Sequence, residues 1–161
     1  MMLARAGATN AEACNEDFTS VDPTASEFAN VTHILLDPSC SGSGIVNRLD
    51  YLLDGGEGAF SLHLRLTVLL DENEEDDAAK DERLERLASF QQAMITHAIK
   101  FPSVQKIVYS TCSVHVAENE RVVRAALEAA GNEWMLAPRS QVLPTWPRRG
   151  LQEELGNVGT S

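Results

Sequence analysis

The chain has 161 residues, 43% of them hydrophobic, and a net charge of −11. That length and apolar content suit one globular domain with a real core and exclude a disordered chain. The acidic balance argues against a broad phosphate-binding surface, and no apolar run approaches the roughly eighteen residues of a membrane span.

Residues 2–7 read as the tail of a helix stopped by Gly7. The start is too short and too quickly polar for a signal peptide, so an intracellular, reducing setting is expected. Asn15-Glu16-Asp17-Phe18 reads as a strand end running into a loop, and Asp22-Pro23 with Ser26 as a turn or short helix. Val31–Leu36 is the clearest strand: short, apolar and β-branched, as a buried parallel strand should be. Asp37-Pro38 ends it, because proline lacks a ladder donor.

Residues 42–82 are loop-rich, with Gly55-Gly56-Glu57-Gly58 breaking regular structure and 60–70 open to a stray strand or short helix. Residues 71–82 (DENEEDDAAKDE) hold eight acids and one lysine. Like charges repel and resist packing, so this block is expected to be a solvated insertion or mobile loop. It lacks the glycine and alternation of a calcium loop. A long helix is expected over about 82–100, since Leu84, Leu87, Ala88, Gln91, Met94, Ile95, Ala98 and Ile99 recur at three-and-four spacing, and Pro102 closes it. Gln105–Ser110 is the second strand. Glu118–Ala130 is a further helix with Val122, Val123, Ala126 and Leu127 on one face and Gly131 as its stop. Strand, helix, strand, helix implies right-handed crossovers and a doubly wound parallel sheet. The last thirty residues, rich in proline with two tryptophans, read as an extended tail lying on the surface.

Three cysteines, Cys14, Cys40 and Cys112, are an odd number without disulfide-framework spacing, and read as thiols. Cys40 and Cys112 each follow a strand and precede turn-forming residues. The carboxyl ends of parallel strands are where ligand crevices form, so both thiols are placed to face one pocket. Two readings of Cys112 stand side by side. As a nucleophile it would be a thiolate, its pKa lowered by N–H groups at the helix start near Glu118; otherwise it is a small apolar residue in a turn. Cys40 is similar, with Gly42 and Gly44 allowing close backbone approach to a ligand. Asp37 is suited either to a substrate amine or to capping its own turn. His115, three residues past Cys112, would be needed for a cysteine hydrolase, but a turn points the two apart. No paired Cys or His spacing supports a metal site.

LLDPSCSGSG (35–44) and VYSTCS (108–113), followed by ENERVV (118–123), resemble the two cysteine motifs of RNA cytosine-C5 methyltransferases, the Nol1/Nop2/Sun (RsmB-like) family. LARAG (3–7), EDF (16–18), FQQ (90–92) and Leu143-Pro144-Thr145-Trp146-Pro147 extend the likeness to its NSUN5-type ribosomal RNA branch, over nearly the whole chain apart from the acidic block. The resemblance implies an α/β, Rossmann-like methyltransferase fold using S-adenosylmethionine. It implies RNA, ribosomal RNA first, as the partner, with no membrane, no metal and a nuclear or nucleolar setting. Cys112 would add covalently to cytosine C6, and Cys40 would assist release of the methylated RNA. DNA cytosine methyltransferases place their nucleophile after a proline, which would favour the Cys40 neighbourhood, but the Thr111-Cys112-Ser113 segment has no counterpart there. Asp37 would line the pocket between cofactor and base, and Asp17 would sit near the cofactor's adenine.

The chain departs from that pattern at both ends. The glycine-rich cofactor loop with its strand, the acidic ribose ligand and the basic RNA-binding region are not matched, nor are the final hairpin strands. The expected organisation is therefore a partial catalytic domain over 1–150, with an acidic loop insertion at about 54–82 and a tail at 151–161. Taken alone, it is expected to bind S-adenosylmethionine weakly or not at all, which calorimetry would test. The alternative is an inactive piece serving as an RNA- or protein-interaction module.

Overall fold

Two parallel strands carry the site. A computed structural model describes residues 2–45, 77–147 and 149–156; the glycine cluster at 55–58 and the uncertain element at 60–70 lie outside them. Strands β1 (His33–Leu36) and β2 (Lys106–Tyr109) pair in parallel, with Ile34 opposite Ile107 and Leu36 opposite Tyr109. The pairing continues beyond both ends. Lys106 N–H donates to the Thr32 carbonyl at 3.2 Å, and Ser110 N–H to the Leu36 carbonyl at 2.9 Å. Parallel neighbours need a long crossover rather than a tight turn. Of that connection, α2 (Asp77–Ala98) is described, and it packs on both strands.

The short α1 (Met2–Arg5) is followed by Gly7 at φ +69°, the left-handed stop expected there. Asp17 then caps a 3-10 turn, Phe18–Ser20, rather than ending a strand. Its carboxylate accepts the Thr19 N–H at 2.9 Å and the Thr19 hydroxyl at 2.8 Å. A short polar side chain offers the backbone this local alternative to a sheet ladder. Phe18 stacks on Phe101 at 5.7 Å and meets His97 edge-on at 5.0 Å, fixing this segment to the end of α2.

Residues 77–82, expected in the acidic loop, are the described start of α2 instead. Asp81 and Glu82 are exposed, and a helix tolerates charge on the face it turns to water. The expected helix at 118 begins with a 3-10 turn, Val116–Glu118, before α3 (Glu120–Ala130). Leu36, Ile95, Ala98, Val122 and Ala126 form the buried cluster, with Ile34, Ile107 and Tyr109 packed against it. Alternation along the strands turns Leu35 and Val108 the other way, where they are 71% and 57% exposed. Among the described residues only one face of the pair is covered, which corrects the expectation of strands buried on both sides. The tail is also not wholly extended: α4 (Gln152–Leu155) docks on α3. Arg121 Nε pairs with Glu154 at 3.1 Å, and Arg124 donates to the Glu154 carbonyl at 3.0 Å.

Candidate active site

Because Leu36 and Tyr109 are opposite in register, the segments leaving β1 and β2 run side by side. They bring the Cys40 and Cys112 sulfurs to 3.0 Å across 72 residues of sequence. Cys40 is half-buried and Cys112 exposed, both as free thiols. Asp37 lies beside them, its Oδ1 accepting the Ser110 hydroxyl at 2.8 Å. A seam joins the two loops. Gly44 N–H donates to the Cys112 carbonyl at 2.9 Å. A Cβ at position 44 would lie 2.9 Å from that same oxygen, so the approach requires glycine. Val114 N–H donates to the Ser43 hydroxyl at 3.0 Å, and the Ser41 hydroxyl to that of Ser113 at 3.2 Å.

The two thiols do not share charge equally. The Cys112 thiol donating to Cys40 holds the Cys40 pKa below its ordinary value, against some desolvation, with backbone N–H groups of Gly42 and Cys112 adding to the effect. The same hydrogen bond raises Cys112, as do desolvation, the charge on Cys40 and the nearby Asp37 carboxylate. The first proton lost from the pair therefore leaves a thiolate on Cys40 and a thiol on Cys112. A thiolate is the attacking form of cysteine, and the 3.0 Å contact lets a proton pass between the two sulfurs.

A pair of cysteines meeting at the carboxyl ends of two parallel strands is the arrangement that the two motifs imply. A sequence profile described as 16S rRNA methyltransferase RsmB/F matches residues 67–147. The chain belongs to the RsmB/F methyltransferase family. It is 43% identical over 152 residues to the 25S rRNA (cytosine-C(5))-methyltransferase rcm1 of Schizosaccharomyces pombe, covering 94% of this chain and 29% of that protein. It is 44% identical over 150 residues to the 28S rRNA (cytosine-C(5))-methyltransferase of Mus musculus, covering 93% and 27%. It is 41% identical over 146 residues to the Arabidopsis thaliana 25S rRNA (cytosine-C(5))-methyltransferase NSUN5, covering 90% and 23%. The chain thus spans under a third of the length of these relatives.

Within this RsmB/F-family chain the remaining candidates separate. Asp17 sits on the Phe18 turn, ionised and held by Thr19, and makes no hydrogen bond to Asp37, Cys40 or Cys112. His115 is exposed and makes no hydrogen bond to Cys112; its carbonyl instead accepts from Asn119 at 3.0 Å. Cys14 is exposed and free. Among the described residues no group of three or more His, Cys, Asp or Glu side chains is placed to hold a metal ion, and no helix is long and apolar enough to cross a membrane.

Sequence reasoning missed what lies beneath the cysteine loops. Gln91 and Glu118 are fully buried. Gln91 Nε2 donates to Glu118 Oε1 at 2.9 Å, and the Tyr109 hydroxyl donates to the Glu118 carbonyl at 2.6 Å. Desolvation pushes the Glu118 carboxyl up, but hydrogen bonds from Ser113, Ser41 and Gln91 outweigh it and leave the group below its ordinary value. Burial moves Tyr109 the other way, well above the usual phenol value, so its hydroxyl stays a donor. Two signals were present: a glutamine on an apolar helical stripe, and the Glu118-Asn119-Glu120 run after the second cysteine motif.

Proposed function

We propose that this chain forms part of a Rossmann-like catalytic domain that methylates cytosine C5 in ribosomal RNA through a covalent adduct at Cys112. The observation that carries the reading is the 3.0 Å approach of the Cys40 and Cys112 sulfurs at the open rim of the parallel pair. The rRNA substrates of its relatives support the choice of target, and such a target implies work in the nucleus or nucleolus. An inert scaffold has no need of two thiols held in contact, one of them with a lowered pKa.

Cytosine C5 is a poor nucleophile while the ring is aromatic. Cys40, once ionised, takes the proton of Cys112 across their 3.0 Å contact. Cys112 then bonds to C6, and the electron pair displaced from the C5–C6 double bond makes C5 nucleophilic. S-adenosylmethionine, when bound, supplies the electrophilic methyl group. Once C5 has been methylated, solvent water takes its proton, the C5–H electron pair re-forms the C5–C6 double bond, and the Cys112–C6 bond breaks with its pair left on sulfur, so the ring regains aromaticity. Cys40, now a thiol, returns its proton to the departing Cys112 sulfur, which is how it assists release. One difficult step is divided into easier ones. Asp37, a carboxylate whose charge reaches the Cys112 thiol, suits an amine of the base or the cofactor. Asp17, fixed by its own turn, is the second candidate for the cofactor, near its adenine.

RNA containing 5-azacytidine tests the roles, because nitrogen at position 5 stops the reaction at the adduct. The chain is incubated alone and fused behind the amino-terminal portion of a full-length relative. A covalent adduct is expected that disappears in Cys112→Ala and persists in Cys40→Ala. Loss in Cys40→Ala alone would reverse the two roles. Adduct in both single variants would end the assignment to Cys112, and no adduct in the parent fusion would end the covalent reading.

A further inference from the structure

We propose that Glu118 and Asn119, neighbours in the chain, are positioning residues that hold the two cysteine loops so that their sulfurs meet. This rests on reading Cys40 and Cys112 as the reacting pair. Glu118 serves the first loop. Its Oε1 accepts the Ser41 N–H at 2.9 Å and the Gln91 amide at 2.9 Å. That same amide donates to the Ser39 carbonyl at 2.9 Å. The backbone on either side of Cys40 is thereby tied to one buried pair. Asn119 does the same for the second loop. Its Oδ1 accepts the Thr111 hydroxyl at 2.7 Å, and its Nδ2 donates to the Ser113 carbonyl at 3.0 Å. Those residues flank Cys112.

The chemistry of Glu118 fits no other task. Burying a carboxylate is costly unless hydrogen bonds compensate. Glu118 bonds neither sulfur, and its Oε2 has no partner among the described residues. Its negative charge opposes a thiolate on Cys40. What it supplies is therefore geometry: a rigid acceptor at the point where the 3-10 turn passes into α3. Tyr109 pins that point to the end of β2 through the Glu118 carbonyl. Reacting groups held by such supporting hydrogen bonds keep the close placement that catalysis needs, and losing about 1 Å of it costs on the order of a hundredfold.

Phenylarsine oxide reads sulfur–sulfur proximity directly: its arsenic bonds two thiols, and its oxygen leaves as water with their protons. The background is Cys14→Ser, which leaves only the pair, and folding is checked by circular dichroism. Asn119→Ala and Gln91→Leu are each expected to slow bridging about tenfold. Glu118→Gln keeps the Oε1 acceptor and should bridge within about twofold of the parent. Val122→Ala, which loosens α3 without touching either loop, should also bridge at the parent rate. Parent-like bridging in both Asn119→Ala and Gln91→Leu overturns the proposal, as does equal slowing in Val122→Ala. Slowing in Glu118→Gln as large as in Asn119→Ala would assign the effect to charge and refute a geometric role. Neither RNA nor cofactor is present, so failure of the azacytidine trap and failure of this test are separate results.

Discussion

Cys40 and Cys112 divide one proton between unlike surroundings. Cys40 takes hydrogen bonds from a thiol and from backbone N–H groups, whereas Cys112 faces the Asp37 carboxylate. The consequence is measurable as a pH profile. In the Cys14→Ser background, alkylation of Cys40 by iodoacetamide should titrate below the ordinary thiol value of 9.0. Cys112→Ala removes the strongest donor to that thiolate, so the midpoint should move up towards 9.0. A midpoint that stays put would mean that the backbone N–H groups alone hold the charge. Both cysteines were legible in the sequence because each follows an apolar run and precedes turn residues. Their contact was implied by strand order and by family likeness, but no local pattern could give its distance. Gln91 and Glu118 were invisible as a site for a plain reason. A polar residue on an apolar helix stripe looks like a flaw in the stripe until its partners, here Ser39 and Ser41, are known from tertiary structure.

At the scale of elements, β1 shows what periodicity settles and what it leaves open. Val31–Leu36 was rightly read as a strand, and pairing keeps four of those residues, His33–Leu36. The apolar run Ile34-Leu35-Leu36 does not say which face is covered, because both faces look alike in sequence. The structure distinguishes them: Leu36 is 4% exposed and Leu35 71%. Leu36→Ala should therefore cost about 3 kcal/mol, the usual range for a buried leucine. Leu35→Ala, one residue away, should cost within about 0.5 kcal/mol of nothing. Urea unfolding of both variants checks this, and equal losses would mean that Leu35 is covered in solution. The 3-10 turn after Asp17 and the acidic start of α2 were misread for a shared reason. Asp17 accepts the Thr19 N–H at its turn, and Asp81 and Glu82 are exposed on an already helical backbone. Composition alone reads such residues as loop.

At the scale of the molecule, among the described residues, the helices α2 and α3 build the core on one side of the strand pair and leave Leu35 and Val108 exposed on the other, beside His33 and Lys106. Leu35 and Val108 are opposite each other in register, so their exposed side chains form one continuous surface rather than two isolated spots. Apolar sheet surface exposed to water drives association. The 161-residue chain should accordingly self-associate as its concentration rises. Leu35→Thr with Val108→Thr tests the cause. Threonine keeps the β-branched shape that strands favour, so the pairing of β1 and β2 should survive. Neither side chain contributes to the buried cluster, so stability should fall by less than about 1 kcal/mol. Sedimentation across a concentration series should show weaker association in the double variant than in the parent. Association of equal strength in both would place the sticky surface elsewhere. If the sheet face is the cause, soluble double-variant protein is also the right sample for the arsenical and azacytidine measurements, since its substitutions point away from the Cys40–Cys112 loops' supporting network on the helix side.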